Sequence, residues 1–205
     1  MVEKYNNKYR IESHRMLNWD YSSNTVYFLT FVTQNRECNL GSIYDGVMEL
    51  SDLGKIVDTQ FHLSFQIRNE LFLDEYIIMP NHLHTIVILE NCAGDPQSRR
   101  DARPCVSTRP CVSTRPCVPQ SRCVPIRKPK SISSFVAGFK SAVNSKIDDY
   151  IDIYRLNVPK YNRDNHFFQP NYHDRIVRNN YEHEIIRKYI INNPQKWHDD
   201  SLYGV

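Results

Sequence analysis

The residues of this chain whose types and spacing could do chemistry fall at two places. In Met79-Pro80-Asn81-His82-Leu83-His84 two histidines stand two apart and lead into an apolar run, and on a β-strand that spacing turns both imidazoles to one face. Such a pair can hold a divalent metal, although histidines with no metal duty, in a core or on a surface, share the same spacing. Toward the C-terminus Tyr189 and Asn193 stand four apart, which on a helix sets a phenol and an amide oxygen one turn from each other. Taken alone, Tyr189 reads first as a core aromatic. Asn193 precedes Pro194, which disfavours the helical conformation at Asn193 and makes the shared face imperfect there.

The stretch MPNHLH followed by TIVIL resembles the histidine–hydrophobic–histidine (HUH) motif of single-tyrosine transposases. The later pattern FFQPNYHDRIVRN…YEHEIIRKYIINNP resembles the segment that carries the catalytic tyrosine in REP-associated tyrosine transposases. Together with the intervening SISSFVAGFKSAVNSKI, the likeness covers most of residues 24 to 198 apart from an insertion. The resemblance implies an α+β fold, a ferredoxin-like HUH domain with a central antiparallel sheet and packed helices. It assigns His82 and His84 as metal ligands around the hydrophobic Leu83, Tyr189 as nucleophile and Asn193 as the polar third ligand. It implies cleavage of single-stranded DNA beside a hairpin, and joining of ends through a 5′-phosphotyrosine, by a monomer or homodimer. The chain departs from the family at Gln195-Lys196-Trp197 after Asn-Pro and in the insertion.

Asn and His ligation suits Mg²⁺ or Mn²⁺, with Mn²⁺ the better match to imidazole. A phenol with an ordinary pKa near 10 needs activation at neutral pH, and no base can be named from the sequence. No Walker-type loop is present, in agreement with a transfer that stores the energy of the broken bond. Binding of a single strand pairs a cationic groove with aromatic platforms, for which the candidates are Arg175 and Arg178 beside Tyr172 and His173, with Lys140 in addition. The same residues also fit a solvated polar edge. The alternative is a domesticated, non-cleaving hairpin-DNA-binding protein, against which the intact set His82, His84, Tyr189 and Asn193 argues. A small-molecule metallohydrolase would need further ligands, and the strand after His84 offers none.

The elements that must position these residues follow from periodicity. Asn24 to Arg36 is rich in β-branched and aromatic residues, apolar on both faces, and reads as a central strand. Ser51 caps a helix carrying Leu53, Ile56, Val57, Phe61 and Phe65 and ending near Arg68. Leu71 to Met79 and His84 to Leu89 are two more strands. Ser131 or Ser133 opens a second amphipathic helix with Ile132, Phe135, Val136, Phe139, Val143, Ile147, Ile151 and Tyr154 as its stripe. Residues 155 to 165 are a polar turn, His166 to Asn179 is ambiguous between strand and loop, and Tyr181 to Asn193 is a terminal helix.

Composition sets the frame. With 205 residues, 40% hydrophobic and 12% aromatic, there is material for one core. Residues 24–92 and 131–200 are expected to form one domain, preceded by a polar segment over 1–23. Residues 93–130 hold nine Lys or Arg against Asp95 and Asp101, a net +7, while the rest of the chain is −4. That segment also contains seven of the eleven prolines and no aromatic residue, so it reads as a basic disordered insertion. Its Cys105, Cys111, Cys117 and Cys123 recur every six residues within Pro-Cys-Val-Ser-Thr-Arg repeats, a tandem duplication rather than the paired spacing of a zinc site. No long apolar run exists and the N-terminus is polar, which predicts neither membrane span nor secretory signal. A bacterial-type cytoplasmic, nucleoid-associated protein is expected.

Overall fold

The computed structural model describes Met16 and residues 19–91, 128–162 and 165–203. In chain order the regular elements are β1 (Thr25–Val32), β2 (Gly41–Tyr44), β3 (Val47–Leu50), α1 (Asp52–Gln66), β4 (Leu71–Met79), β5 (His82–Leu89), α2 (Ile132–Ile153), β6 (His173–Val177) and α3 (Asn180–Asn192), with 3-10 turns at Gln34–Arg36 and Pro194–Asp199.

Four strands form an antiparallel sheet in the order β4-β5-β1-β6. With the β2–β3 hairpin set aside, the sequence strand–helix–strand–strand–helix–strand in this order is the ferredoxin-like arrangement. The two-sided apolarity of β1 has its reason here. Tyr27, Leu29 and Phe31 are fully buried beneath α1 and α2, while Val26 and Phe28 pack on the opposite face against Ile86, Val177, Ile186 and Ile190. The sheet is thus sandwiched between α1 and α2 on one side and α3 on the other.

Local signals fix the helices. The Ser51 hydroxyl accepts from the Gly54 amide at 3.0 Å, a cap that contributes about 1 kcal/mol. A side chain at Gly54 would strike the Leu40 carbonyl, which explains a glycine inside a helix. Ser131, not Ser133, caps α2. The buried stripe of α2 runs from Ile132 to Ile151, and Tyr154 lies outside it, 62% exposed at the helix end. Asn179 caps α3 through the Glu182 amide at 2.8 Å.

Two stretches differ from the sequence reading. The β2–β3 hairpin, absent from that reading, turns on Asp45-Gly46 with φ of 49° and 75°, the pair of positive φ values a two-residue hairpin demands. The ambiguous stretch after His166 resolves into β6, added as an edge strand beside β1, with an isolated bridge from Phe168 to Thr33 before it. Trp19 and Tyr21, within the N-terminal polar segment, pack against the core. The insertion over 93–130 lies outside the described residues except at its end, but its borders are adjacent: the Asn91 side-chain amide donates to the Lys130 carbonyl at 3.1 Å and to the Ser22 carbonyl at 2.7 Å. Among the described residues no helix is long and apolar enough to cross a membrane.

Candidate metal and nucleophile centre

Pro80-Asn81 alone makes the turn between β4 and β5, so His82 already belongs to β5. His82 pairs with Val32 and His84 with Thr30 across β1, and both imidazoles point to the α3 face together with Phe28 and Ile86. Their rings are 4.4 Å apart. His82 is fully buried and His84 is 5% exposed. Burial holds each of them at about 3, well below the ordinary imidazole value, so both are neutral at physiological pH and keep a lone pair for a ligand.

α3 brings the tyrosine to them. Ile186 and Ile190 bury against the sheet, and two polar ties to β4 fix the helix along its length: His183 to Asp74 at 2.8 Å and Arg187 to Glu75 at 3.4 Å. Tyr189 consequently stands over His84, its hydroxyl 3.3 Å from His84 Nε2, and Phe28 stacks on the same imidazole at 5.3 Å. The Tyr189 ring is 44% exposed, which leaves it open to a large substrate. Burial of the phenol and the nearby Asp200 carboxylate push its pKa up to about 12. The Asn193 amide pulls the other way, although it makes no hydrogen bond of full geometry.

Asn193 keeps helical angles, φ −59° and ψ −43°, in spite of Pro194. The proline opens a new 3-10 turn instead of extending the chain, so the imperfection expected from the following proline does not arise. Asn193 is 3% exposed, and neither its Oδ1 nor its Nδ2 has a hydrogen-bond partner; His82 Nε2 is likewise buried without one. Three buried polar atoms without a partner are costly unless something satisfies them.

The 3-10 turn also delivers a residue that the sequence did not disclose. Asp200 accepts from the Tyr189 hydroxyl at 3.2 Å, and ligand atoms of His82, His84 and Asp200 all lie within 4.8 Å of one another. No spacing pattern links Asp200 to the histidines; it reaches them because Trp197, 8% exposed, packs its ring 5.8 Å from His82 and folds the chain back. Neutral imidazole nitrogens with carboxylate and amide oxygens form a donor set suited to Mg²⁺ or Mn²⁺. Two supporting contacts stand behind the histidines, Asn81 Oδ1 to His82 Nδ1 and Thr30 Oγ1 to His84 Nδ1, each at 2.8 Å.

The residues read from the sequence as DNA contacts divide between the two faces. His173 pairs with Thr30 and Arg175 with Phe28 across β1, so both belong to the tyrosine face. Arg175 is ion-paired to Glu182 at 2.6 Å. With Arg178, Tyr181 and Ile185 it lines an open groove of about 670 Å³ between β6 and α3, flanking the histidines rather than covering them. Tyr172 and Lys140 stand on the opposite face. Tyr172 is 6% exposed and packs on Phe31, and the Lys140 ammonium donates to the carbonyls of Gln169, Pro170 and Asn171 at 2.6, 3.3 and 3.3 Å. A packed ring offers no face to a base, and a lysine held by carbonyls braces the loop before β6.

Comparison with known proteins finds likeness both in sequence and in structure. The chain is 30% identical over 209 residues to an uncharacterized protein of Haemophilus influenzae, covering 99% of each chain. Its structure resembles that of a REP-associated tyrosine transposase bound to a REP hairpin, with a TM-score of 0.51, 15% identity and coverage of 89% of this chain and 74% of that one. No family model matches.

Proposed function

This chain belongs to one family with the Haemophilus influenzae protein and is built on the fold of the REP-associated tyrosine transposases, and from that premise we propose that it is a metal-dependent nicking and joining enzyme for single-stranded DNA beside a hairpin, a transposase acting through a 5′-phosphotyrosine on Tyr189. The observation that carries this reading is the Tyr189 hydroxyl, 3.3 Å from His84 Nε2 and 3.2 Å from Asp200, beside the unpartnered Nε2 of His82.

His82, His84 and Asp200 would hold the metal, with the Asn193 amide oxygen as a further donor. A divalent cation supplies positive charge there, which polarises a scissile phosphate and favours the phenolate. The remaining chemistry belongs to the chain. Tyr189 Oη attacks phosphorus, the bond to the 3′-oxygen breaks, and the 5′-phosphate stays on the tyrosine while the 3′-oxygen leaves and takes a proton from solvent to become a hydroxyl. The phenolic proton has an acceptor in the Asp200 carboxylate to which it is already bonded. Since the Tyr189 phenol is pushed up to about 12, its nucleophilicity would depend on what occupies the neighbouring donors, and the protein without metal should be inactive. Phe28 meets the Tyr189 ring edge-on at 6.3 Å and helps to fix it.

His173, Arg175 and Arg178 flank this centre on the β6 side and provide a cationic edge for the strand, with the exposed Tyr181 as a stacking surface. The direct experiment uses single-stranded oligonucleotides carrying any hairpin-forming inverted repeat found beside the coding region. Nicking with Mn²⁺ or Mg²⁺ and none in EDTA supports the reading, and equal cutting in EDTA refutes the metal requirement. Binding without any cutting under all metal conditions would favour the non-cleaving hairpin binder.

A further inference from the structure

Asn81 is buried, 1% exposed, at the turn before His82. Its amide nitrogen has two hydrogens, and both are directed at carbonyls: Leu202 at 2.8 Å and Arg36 at 3.3 Å. The backbone carbonyl of Asn81 in turn accepts from the Thr33 amide and hydroxyl, both at 2.9 Å, so the residue is anchored at each end. These partners determine which way the amide faces, because a flipped Asn81 would aim its oxygen at two carbonyl oxygens. Oδ1 is thereby turned to His82 Nδ1, 2.8 Å away.

An amide oxygen can only accept, so Nδ1 of His82 must carry the proton. A neutral imidazole has one, and the lone pair is then on Nε2, the buried atom that has no partner within the protein. We infer that Asn81 is a positioning residue that locks His82 in the tautomer able to ligate, with Nε2 offered to the shared site of His84 and Asp200. Thr30 cannot do the same for His84, because its hydroxyl both donates and accepts and leaves that tautomer open. Asn81 also ties His82 to the C-terminal segment: the Leu202 carbonyl that orients the amide lies two residues beyond Asp200, so one side chain registers the closing of that segment and the orientation of the first histidine.

This inference rests on the metal-holding reading of the centre, but it is tested without turnover. In the ¹⁵N-labelled, metal-free chain near neutral pH, long-range proton–nitrogen spectra assigned by loss of signal in His82→Ala should show His82 protonated on Nδ1 and bare on Nε2. A proton on Nε2, or exchange between both forms, overturns the inference, and this measurement needs no folded Asn81 variant. Asn81→Ala removes the acceptor and should release the tautomer, with Mn²⁺ affinity weaker by about ten- to a hundred-fold. Asn81→Asp loses the same two donors but keeps an acceptor, so the Nδ1–H form should persist. If Asn81→Ala retains both tautomer and Mn²⁺ affinity, Asn81 is only an anchor and the inference fails. Nicking by a chain whose His82 is protonated on Nε2 would sink this assignment alone, whereas the expected tautomer in a protein that never nicks would sink the nuclease reading alone.

Discussion

Tyr189 stands over His84 with its hydroxyl 3.3 Å from Nε2, the two rings 5.3 Å apart and inclined at 64°. The pair joins a helix on one side of the sheet to a strand within it, and the ties of α3 to Asp74 and Glu75 help to determine which turn of the helix arrives there. Whatever the histidine lone pairs bind is therefore held beside the Tyr189 hydroxyl.

If the proposed centre holds a metal, Asp200 and Asn193 should make separable contributions to its binding. Asp200→Asn should weaken Mn²⁺ binding and remove the acceptor of the phenolic proton, so that raising Mn²⁺ restores occupancy without restoring the full rate. Asn193→Ala removes only a neutral donor, and extra Mn²⁺ should bring back most of the activity. Calorimetric titration of Mn²⁺ alongside nicking rates checks both, and an Asn193→Ala protein that binds Mn²⁺ like the natural chain would remove Asn193 from the ligand set.

The histidines impose a pH dependence on the metal-free fold. Both are held at about 3 by burial, while in the unfolded chain each takes up a proton below about 6.5. The unfolded state then binds more protons, so stability is complete above about pH 6.5 and declines as the pH falls toward 3. In EDTA the melting temperature should drop between about pH 7 and about pH 5, and a His82→Leu/His84→Leu protein should show a flatter decline. Parallel declines would mean that other groups govern acid stability.

Lys140 is expected to serve the fold rather than the DNA. Its bonds to three carbonyls should make Lys140→Met less stable by about 1.5–3 kcal/mol in denaturant unfolding, the range for hydrogen bonds to a charged group. The salt dependence of oligonucleotide binding should not change. Arg178→Ala should do the reverse, reducing the salt slope with little loss of stability. A changed slope in Lys140→Met would return that lysine to the binding surface.

Removing residues 95–127 should leave a folded protein, because Asn91 and Lys130 are already hydrogen-bonded neighbours and a short loop can join them. The excess of basic residues lost with the segment should lower the salt slope of DNA binding. An insoluble product, or an unchanged slope, contradicts the structural or the electrostatic half of this expectation.

Much of the framework was legible in residue patterns. The two-sided apolarity of β1, the serine caps of α1 and α2 and the apolar stripe of α2 are local or periodic signals, and the structure follows them. The two-apart histidines and the four-apart Tyr189 and Asn193 could be paired only through the family resemblance, since periodicity says nothing of which strand lies beneath which helix turn. Asp200 and the amide orientation of Asn81 were invisible, because both depend on a C-terminal segment folded back by Trp197 and Pro194. Tyr172 and Arg175 are neighbours in a stretch whose strand register the sequence left open, and that register sends one into the core and the other to the tyrosine face.

The central claim is that Tyr189 is the nucleophile. The competing tyrosines differ physically: Tyr172 is buried on the other face of the sheet, and Tyr181, 79% exposed, lies two turns back on α3. Tyr189→Phe keeps the ring on Phe28 and should bind the hairpin oligonucleotide as the natural chain does while losing nicking. The most direct measurement is peptide mapping by mass spectrometry of the covalent adduct trapped on a single-stranded substrate with Mn²⁺. The account predicts a 5′-phosphate on Tyr189 alone; an adduct on Tyr181 or Tyr172, or undiminished nicking by Tyr189→Phe, would contradict it.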